Sequence, residues 1–143
     1  MNFHNTANTW TAKLVFVAGN SWTPAQATWL DQTLSQPTTY TFVMRHESAK
    51  ATTAPGVNPS MQIIRNHPFT LLIVGHQHTY LHQASDKEVI VGTGGAPLVS
   101  QTSFGYGVVE RLADGTIQFS VVDYMTHHAI DKWHIHPDGS PAP

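Results

Sequence analysis

The sequence predicts a mixed α/β fold in which a βαβαβ half is followed by antiparallel hairpins. Three observations predict it. Short apolar runs rich in β-branched residues recur at residues 13–18, 40–44 and 70–74. A segment with helical spacing lies between each pair of runs. After Tyr80 the helical periodicity stops, and alternating segments joined by glycine turns take over.

Each element has its own signals. Residues 13–18 form an apolar strand closed by Gly19 and Asn20. In the helix that follows, Thr23 caps, Pro24 takes the first helical position and Gln26 stands three residues past the cap, as in a capping box. Ala27, Leu30 and Leu34 share one face with Trp29 beside them, and Pro37 stops the helix. Residues 40–44 form the second strand, which ends in Arg45, His46 and Glu47. A loop rich in Ala, Thr, Pro and Gly covers residues 48–58, and residues 59–66 form a short helix ended by His67 and Pro68. Residues 70–74 then read as a strand buried on both faces, closed by Gly75. The usual handedness of such crossovers makes these strands parallel neighbours with their carboxyl ends on one edge. Beyond it, residues 89–91 run into the turn Gly92-Thr93-Gly94-Gly95-Ala96-Pro97, whose three glycines allow positive φ or close backbone approach. Residues 106–112 and 116–124 alternate around Ala113-Asp114-Gly115 as a hairpin. A single domain is expected over residues 1–136, with a disordered tail at 137–143.

Composition narrows the function classes. Charged residues make up 11% of the chain and the formal net charge is −2, so no basic stripe recruits nucleic acid and no polybasic segment addresses a membrane surface. No apolar run reaches membrane-spanning length, and the first residues lack a signal-peptide pattern, so the chain reads as soluble. With no cysteine, any metal must be held by nitrogen and oxygen. Ten histidines against seven lysines plus arginines raise the odds of an imidazole site.

His46, His76 and His78 are the candidate metal ligands. His76 and His78 follow a buried strand directly, with one residue between them, and His46 ends the preceding parallel strand. Loops beyond the carboxyl ends of such strands gather side chains from distant parts of a chain. Three imidazoles make a plausible metal half-shell, although histidines near turns also satisfy backbone groups.

The motif Gly75-His76-Gln77-His78, with a buried strand before it and His46 at the end of the strand before that, resembles the last two motifs of the calcineurin-like metallophosphoesterases, within the purple acid phosphatase-like superfamily. Gln26-Ala27-Thr28-Trp29-Leu30 resembles the helix between the family's motifs, and the turn at residues 91–97 resembles the glycine turn of its bacterial members. The likeness covers roughly residues 10–125. It implies part of a ββ-sandwich flanked by helices, and a metal-dependent phosphoester hydrolase in which His46 and His76 ligate one metal of a binuclear pair and His78 the other. The family's Asp-x-His, Gly-Asp and Gly-Asn-His-Asp/Glu motifs, which supply the bridging aspartate and the general-acid histidine, do not occur here. Gly19-Asn20 is followed by Ser21 where histidine is required. The chain therefore resembles the C-terminal half of such an enzyme, with no catalytic acid of its own. Without a bridging carboxylate two neighbouring cations repel each other, so one ion per chain is expected. Zinc, iron or manganese suits the site, and copper or nickel remains open.

Gln77 and Tyr80 are candidates for supporting or substrate contacts, and Glu47 for orienting an imidazole, with ordinary packing or a solvated charge as the alternative for each. His127, His128, His134 and His136 form a less favoured second metal cluster near the C-terminus. His4, His67 and His82 read as structural or solvated. The implied partners are a small phosphoester and either a second copy of the chain or the missing N-terminal half; the resemblance leans towards a periplasmic or secreted protein. Two other readings stand beside it. One is a non-catalytic, histidine-based metal-binding module. The other is a cupin-like barrel, disfavoured because the first acidic residue after His78 is Asp86 and two helices precede the pair.

Overall fold

A computed structural model describes residues 1–50, 53–99 and 103–143; residues 51 and 52 of the expected loop, and 100–102, lie outside the described residues. In chain order the elements are β1 (Asn2–His4), β2 (Thr11–Val17), α1 (Pro24–Ser35), β3 (Tyr40–Arg45), α2 (Val57–Arg65), β4 (Leu71–Val74), β5 (Tyr80–Gln83), β6 (Glu88–Val91), β7 (Gly105–Arg111), β8 (Ile117–Asp123), β9 (Ala129–Ile135) and β10 (Pro141–Ala142). The molecule is mixed α/β with two sheets. The first has six strands in the order β1-β2-β3-β4-β6-β5, and the second has four in the order β10-β9-β8-β7.

Alternation along the parallel strands divides the interior into two cores. Val15, Val17, Val43, Leu72, Val74 and Ile90 face α1 and α2, where they meet Leu30, Leu34, Met61 and Ile64. Tyr40, Phe42, Leu71 and Val89 face the other way and pack on Ile117, Phe119, Val121 and Ile135 of the second sheet. Strands covered on both faces need apolar residues at every position, which is why β3 and β4 read as unbroken apolar runs. The order of layers is helices, sheet, sheet.

Local chemistry sets the boundaries. Thr23 Oγ1 accepts the Gln26 backbone N–H at 3.1 Å, and Pro24 opens α1. The capping box is only half formed, because the buried Gln26 Oε1 has no partner. At the other end of α1 the buried Lys13 donates through Nζ to Thr33 O at 2.6 Å and to Gln36 O, satisfying carbonyls that the helix leaves open. Burial pulls the Lys13 ammonium below its usual range.

β2, β3 and β4 are parallel neighbours, as their connecting helices require. β6, expected among the antiparallel hairpins, joins this sheet parallel to β4. The reason lies in β5, which turns back antiparallel to β6, so that the chain regains its original direction by the time it reaches Glu88. The expected hairpin forms from β7 and β8.

The tail at 137–143 is corrected from disordered to ordered. Thr70 Oγ1 donates to Pro137 O at 2.6 Å, and His136 N donates to Ser140 O at 2.8 Å. Gly139, at φ +81°, turns the chain where a Cβ would lie 2.4 Å from Thr70 O, and β10 then pairs with β9.

Candidate metal centre

Arg45 of β3 pairs with Val74 of β4, so the residues that leave these two strands emerge side by side. Gly75 N donates to His46 O at 2.9 Å and extends the ladder by one more rung. The next residue, His76, turns sharply into the left-handed region at φ +62°, a conformation that costs a residue with a Cβ on the order of 1 kcal/mol. This turn brings His76 Nδ1 to 3.3 Å from His46 Nε2, with the two ring planes 86° apart and their centroids 5.2 Å apart. Both side chains are exposed.

The separation of these two nitrogens tests whether they fit a metal. Metal–nitrogen bonds of about 2.0–2.1 Å at a tetrahedral angle place two ligand nitrogens about 3.3–3.4 Å apart. That is the spacing found, and without an ion the same contact is a hydrogen bond between the two rings. Two unsaturated imidazole nitrogens at this distance suit one transition-metal ion.

His78 has a different hydrogen-bond partner. Its Nδ1 lies 2.8 Å from Pro97 O; a carbonyl only accepts, so Nδ1 carries the proton and Nε2 is left with its lone pair free. Its own carbonyl accepts Val99 N at 2.9 Å. The loop between is wound tight: Gln77 N donates to Gly75 O, and Thr79 N to Gln77 O, each at 2.7 Å. His76, Gln77, His78, Thr79 and Val99 line an open crevice of about 440 Å³. Among the described residues, no group of three or more His, Cys, Asp or Glu side chains gathers to hold a metal. Of the expected trio, His46 and His76 lie adjacent, while the Nδ1–H of His78 is bound by the Pro97 carbonyl, an arrangement that leaves Nε2 available to a ligand.

The glycine turn that follows β6 clamps this loop. Gly92 N donates to Thr79 O at 2.9 Å, and a Cβ on Gly92 would lie 1.8 Å from Gln77 O. Sequence reasoning took these glycines for a turn and missed that the turn backs the histidine loop. The signal available was the permissive glycine itself.

Glu47, expected to orient an imidazole or to stand as a solvated charge, is buried at 2% exposure, and Arg45 near it at 4%. Arg45 Nε donates to Glu47 O at 2.9 Å, and Nη1 donates to Val57 O at 3.0 Å and Ser60 Oγ at 2.6 Å. Glu47 Oε2 and Arg45 Nη2 lack partners. Burial lowers the Arg45 guanidinium from its usual range, against the opposing pull of Glu88 and Glu47. Glu47 Oε2 instead packs against Gly19, and no hydrogen bond joins it to either imidazole among the described residues.

Tyr80, expected to contact substrate, turns its ring towards the core between the sheets. Its hydroxyl donates to Asp131 Oδ2 at 2.7 Å and accepts from Trp133 Nε1 at 3.0 Å. Burial, reinforced by Asp131, raises its pKa above the usual tyrosine value.

The second histidine cluster does not converge. His127 and His128 precede β9 while His134 and His136 lie at its far end, roughly 20 Å away at about 3.4 Å per residue. His134 contacts Pro143 O at 2.9 Å and Gln118 Oε1 at 3.3 Å instead. Of the remaining histidines, His67 Nε2 meets Asp31 Oδ1 at 2.8 Å, His82 stacks on Trp133, and His4 is exposed.

No helix among the described residues is long and apolar enough to cross a membrane. No family model, curated protein or solved structure matches the chain.

Proposed function

We propose that this chain carries the histidine part of a phosphoester hydrolase's metal centre, in which one transition-metal ion is held by His46 Nε2 and His76 Nδ1. The observation that carries this reading is the 3.3 Å between those two nitrogens, brought together across thirty residues by adjacent parallel strands. It agrees with the grouping implied by the resemblance to calcineurin-like metallophosphoesterases, in which these two histidines share an ion. Neutral imidazole suits zinc, iron, copper or nickel better than calcium or magnesium, with manganese closer to the oxygen-preferring ions. When bound, such an ion polarises a phosphoryl oxygen and lowers the pKa of a bound water.

The chain's own groups then divide the remaining work. His46 and His76 must be neutral to bind, so binding weakens as either takes up a proton. With Nδ1–H engaged by Pro97, Nε2 is the nitrogen of His78 that can ligate a second ion beside the crevice.

A second reading is favoured by one observation: no carboxylate joins the imidazole pair among the described residues. A metal-binding module without turnover would have this composition, and an active enzyme would draw its carboxylates from an N-terminal half or from a second copy.

The test is zinc and manganese titration of the purified chain alongside hydrolysis of p-nitrophenyl phosphate. Stoichiometric binding abolished in both His46→Ala and His76→Ala, with hydrolysis abolished in parallel, is the expected result for the hydrolase. Binding with no turnover selects the module. Failure to bind either metal sinks both.

A further inference from the structure

We propose that Glu88 and Arg45 are positioning residues that brace the segment carrying His46, so that its imidazole is already held against His76 when an ion arrives. This rests on the reading of His46 and His76 as a metal site. Charged side chains are almost never fully buried unless they are paired. Glu88 is nevertheless 0% exposed and Arg45 4%. Among the described residues no ion pair joins the two. Each instead bonds the main chain that follows β3, on either side of His46 or just beyond it.

Ties from separate elements hold that segment. From the end of β4, Gly75 N donates to His46 O at 2.9 Å. Arg45 Nε donates to Glu47 O at 2.9 Å, and the same guanidinium reaches α2 through Nη1, which donates to Val57 O at 3.0 Å and to Ser60 Oγ at 2.6 Å. Arg45 therefore spans the ligand: it belongs to the residue before His46 and holds the carbonyl of the residue after it. From β6, Glu88 Oε2 accepts the Ala49 N–H at 2.9 Å. Glu88 Oε1 accepts from Gln83 Nε2 at 2.8 Å, and Gln83 Oε1 accepts in turn from Lys50 Nζ.

The charged character of the brace carries the argument. Buried ionic groups are often no better for stability than apolar side chains of similar volume, so leucine or methionine would serve the core as well. An apolar side chain cannot bond a carbonyl and an N–H in fixed directions, and here both belong to the segment that decides where His46 stands. Metal-binding imidazoles are ordinarily oriented by a carboxylate or carbonyl on their other nitrogen. Among the described residues the one polar contact of the His46 ring is His76 Nδ1, so its direction must come from the main chain beneath it.

The experiment measures zinc affinity by calorimetric titration, beside thermal melts, in Glu88→Gln and Glu88→Met. Glu88→Gln keeps an oxygen that accepts the Ala49 N–H and should bind zinc within about twofold of the parent. Glu88→Met keeps the bulk without the acceptor and should bind about fivefold more weakly or worse, whatever its melting temperature. Parent affinity in Glu88→Met, or an equal loss in Glu88→Gln, overturns the proposal. Should Glu88→Met fail to fold, Arg45→Lys carries the test. An ammonium keeps the charge but lacks the planar fork that reaches Glu47 O and α2 together, so affinity should fall by a similar factor, and parent affinity there overturns the proposal. If the parent chain binds no zinc, the metal-site reading fails separately, and the brace is read on the metal-free chain from nuclear Overhauser contacts between the ring protons of His46 and His76. Contacts present in the parent and in Glu88→Gln but lost in Glu88→Met support the brace. Contacts unchanged in Glu88→Met, or missing from the parent, overturn it.

Discussion

The α-carbon of Gly92 is pressed against the carbonyl oxygen of Gln77 so closely that a Cβ would sit 1.8 Å from it. Both atoms belong to backbone, so neither can swing aside as a side chain would. Gly92→Ala must therefore push the histidine loop outward, and overpacking of this kind costs about 1–3 kcal/mol. The expected outcome is a lower melting temperature together with weaker zinc binding, since His76 and His78 flank the displaced residue. Gly94→Ala, two residues on in open space, is the control: thermal melts should place it within about 0.5 kcal/mol of the parent.

The left-handed backbone at His76 predicts an opposition between stability and binding. Glycine adopts φ +62° freely, so His76→Gly relieves strain worth about 0.5–1 kcal/mol while deleting one ligand. The metal-free variant should melt above the metal-free parent. Zinc at one hundred times the parent's dissociation constant should stabilise the parent by about 2.7 kcal/mol and the variant by almost nothing. Parallel melts with and without zinc decide it; a variant that is both less stable and still zinc-responsive would show that the strain does not serve the site.

Much of the first half was legible because its signals are local. Thr23 and Pro24 announce α1, and the runs of β3 and β4 are apolar throughout because both of their faces are covered. The pairing of His46 with His76 was legible for the same reason, since two parallel strands joined by a crossover helix end on one edge. What stayed hidden depends on long-range contacts. β6 looks like an ordinary short strand until β5 reverses the chain ahead of it. The orientation of His78 is set by a carbonyl nineteen residues away. Arg45 and Glu47 are charged residues, which composition places at the surface, yet Val57 and Ser60 of α2 close over Arg45 and draw it inward. The ordered tail is held by Thr70, which no reading of Pro, Gly and Ser content could reveal.

His82 ties stability to pH. Its ring lies 3.7 Å from that of Trp133 at an interplanar angle of 6°, and Trp133 in turn stacks on Phe119. Burial lowers its pKa, against the weaker opposing pull of Asp131. As pH falls through 6.5 the unfolded chain takes up a proton before the folded chain does. Stability from this residue is thus complete above that pH, declines as the pH drops below it, and levels off beneath the folded-state value. His82→Phe keeps a stacked ring but cannot be protonated. Melting temperatures measured from about pH 7 to pH 5 should fall less steeply in the variant than in the parent; identical slopes would show that His82 is not the group responsible.

Tyr80 gives the sharpest separation of a structural role from a functional one. Its hydroxyl joins the sheets, donating to Asp131 at 2.7 Å and accepting from Trp133 at 3.0 Å, although its place two residues after His78 suggests a substrate contact. Tyr80→Phe leaves the partly buried Trp133 N–H without its acceptor, at a cost of about 1–2 kcal/mol. For a chain of this size that lowers the melting temperature by roughly 3–8 °C. Zinc affinity should stay at the parent value, because the hydroxyl is engaged by Asp131 and Trp133 of β9, and any phosphatase activity should keep its KM. A raised KM without a fall in melting temperature would return Tyr80 to the substrate site and show that the joint between the sheets does not depend on it.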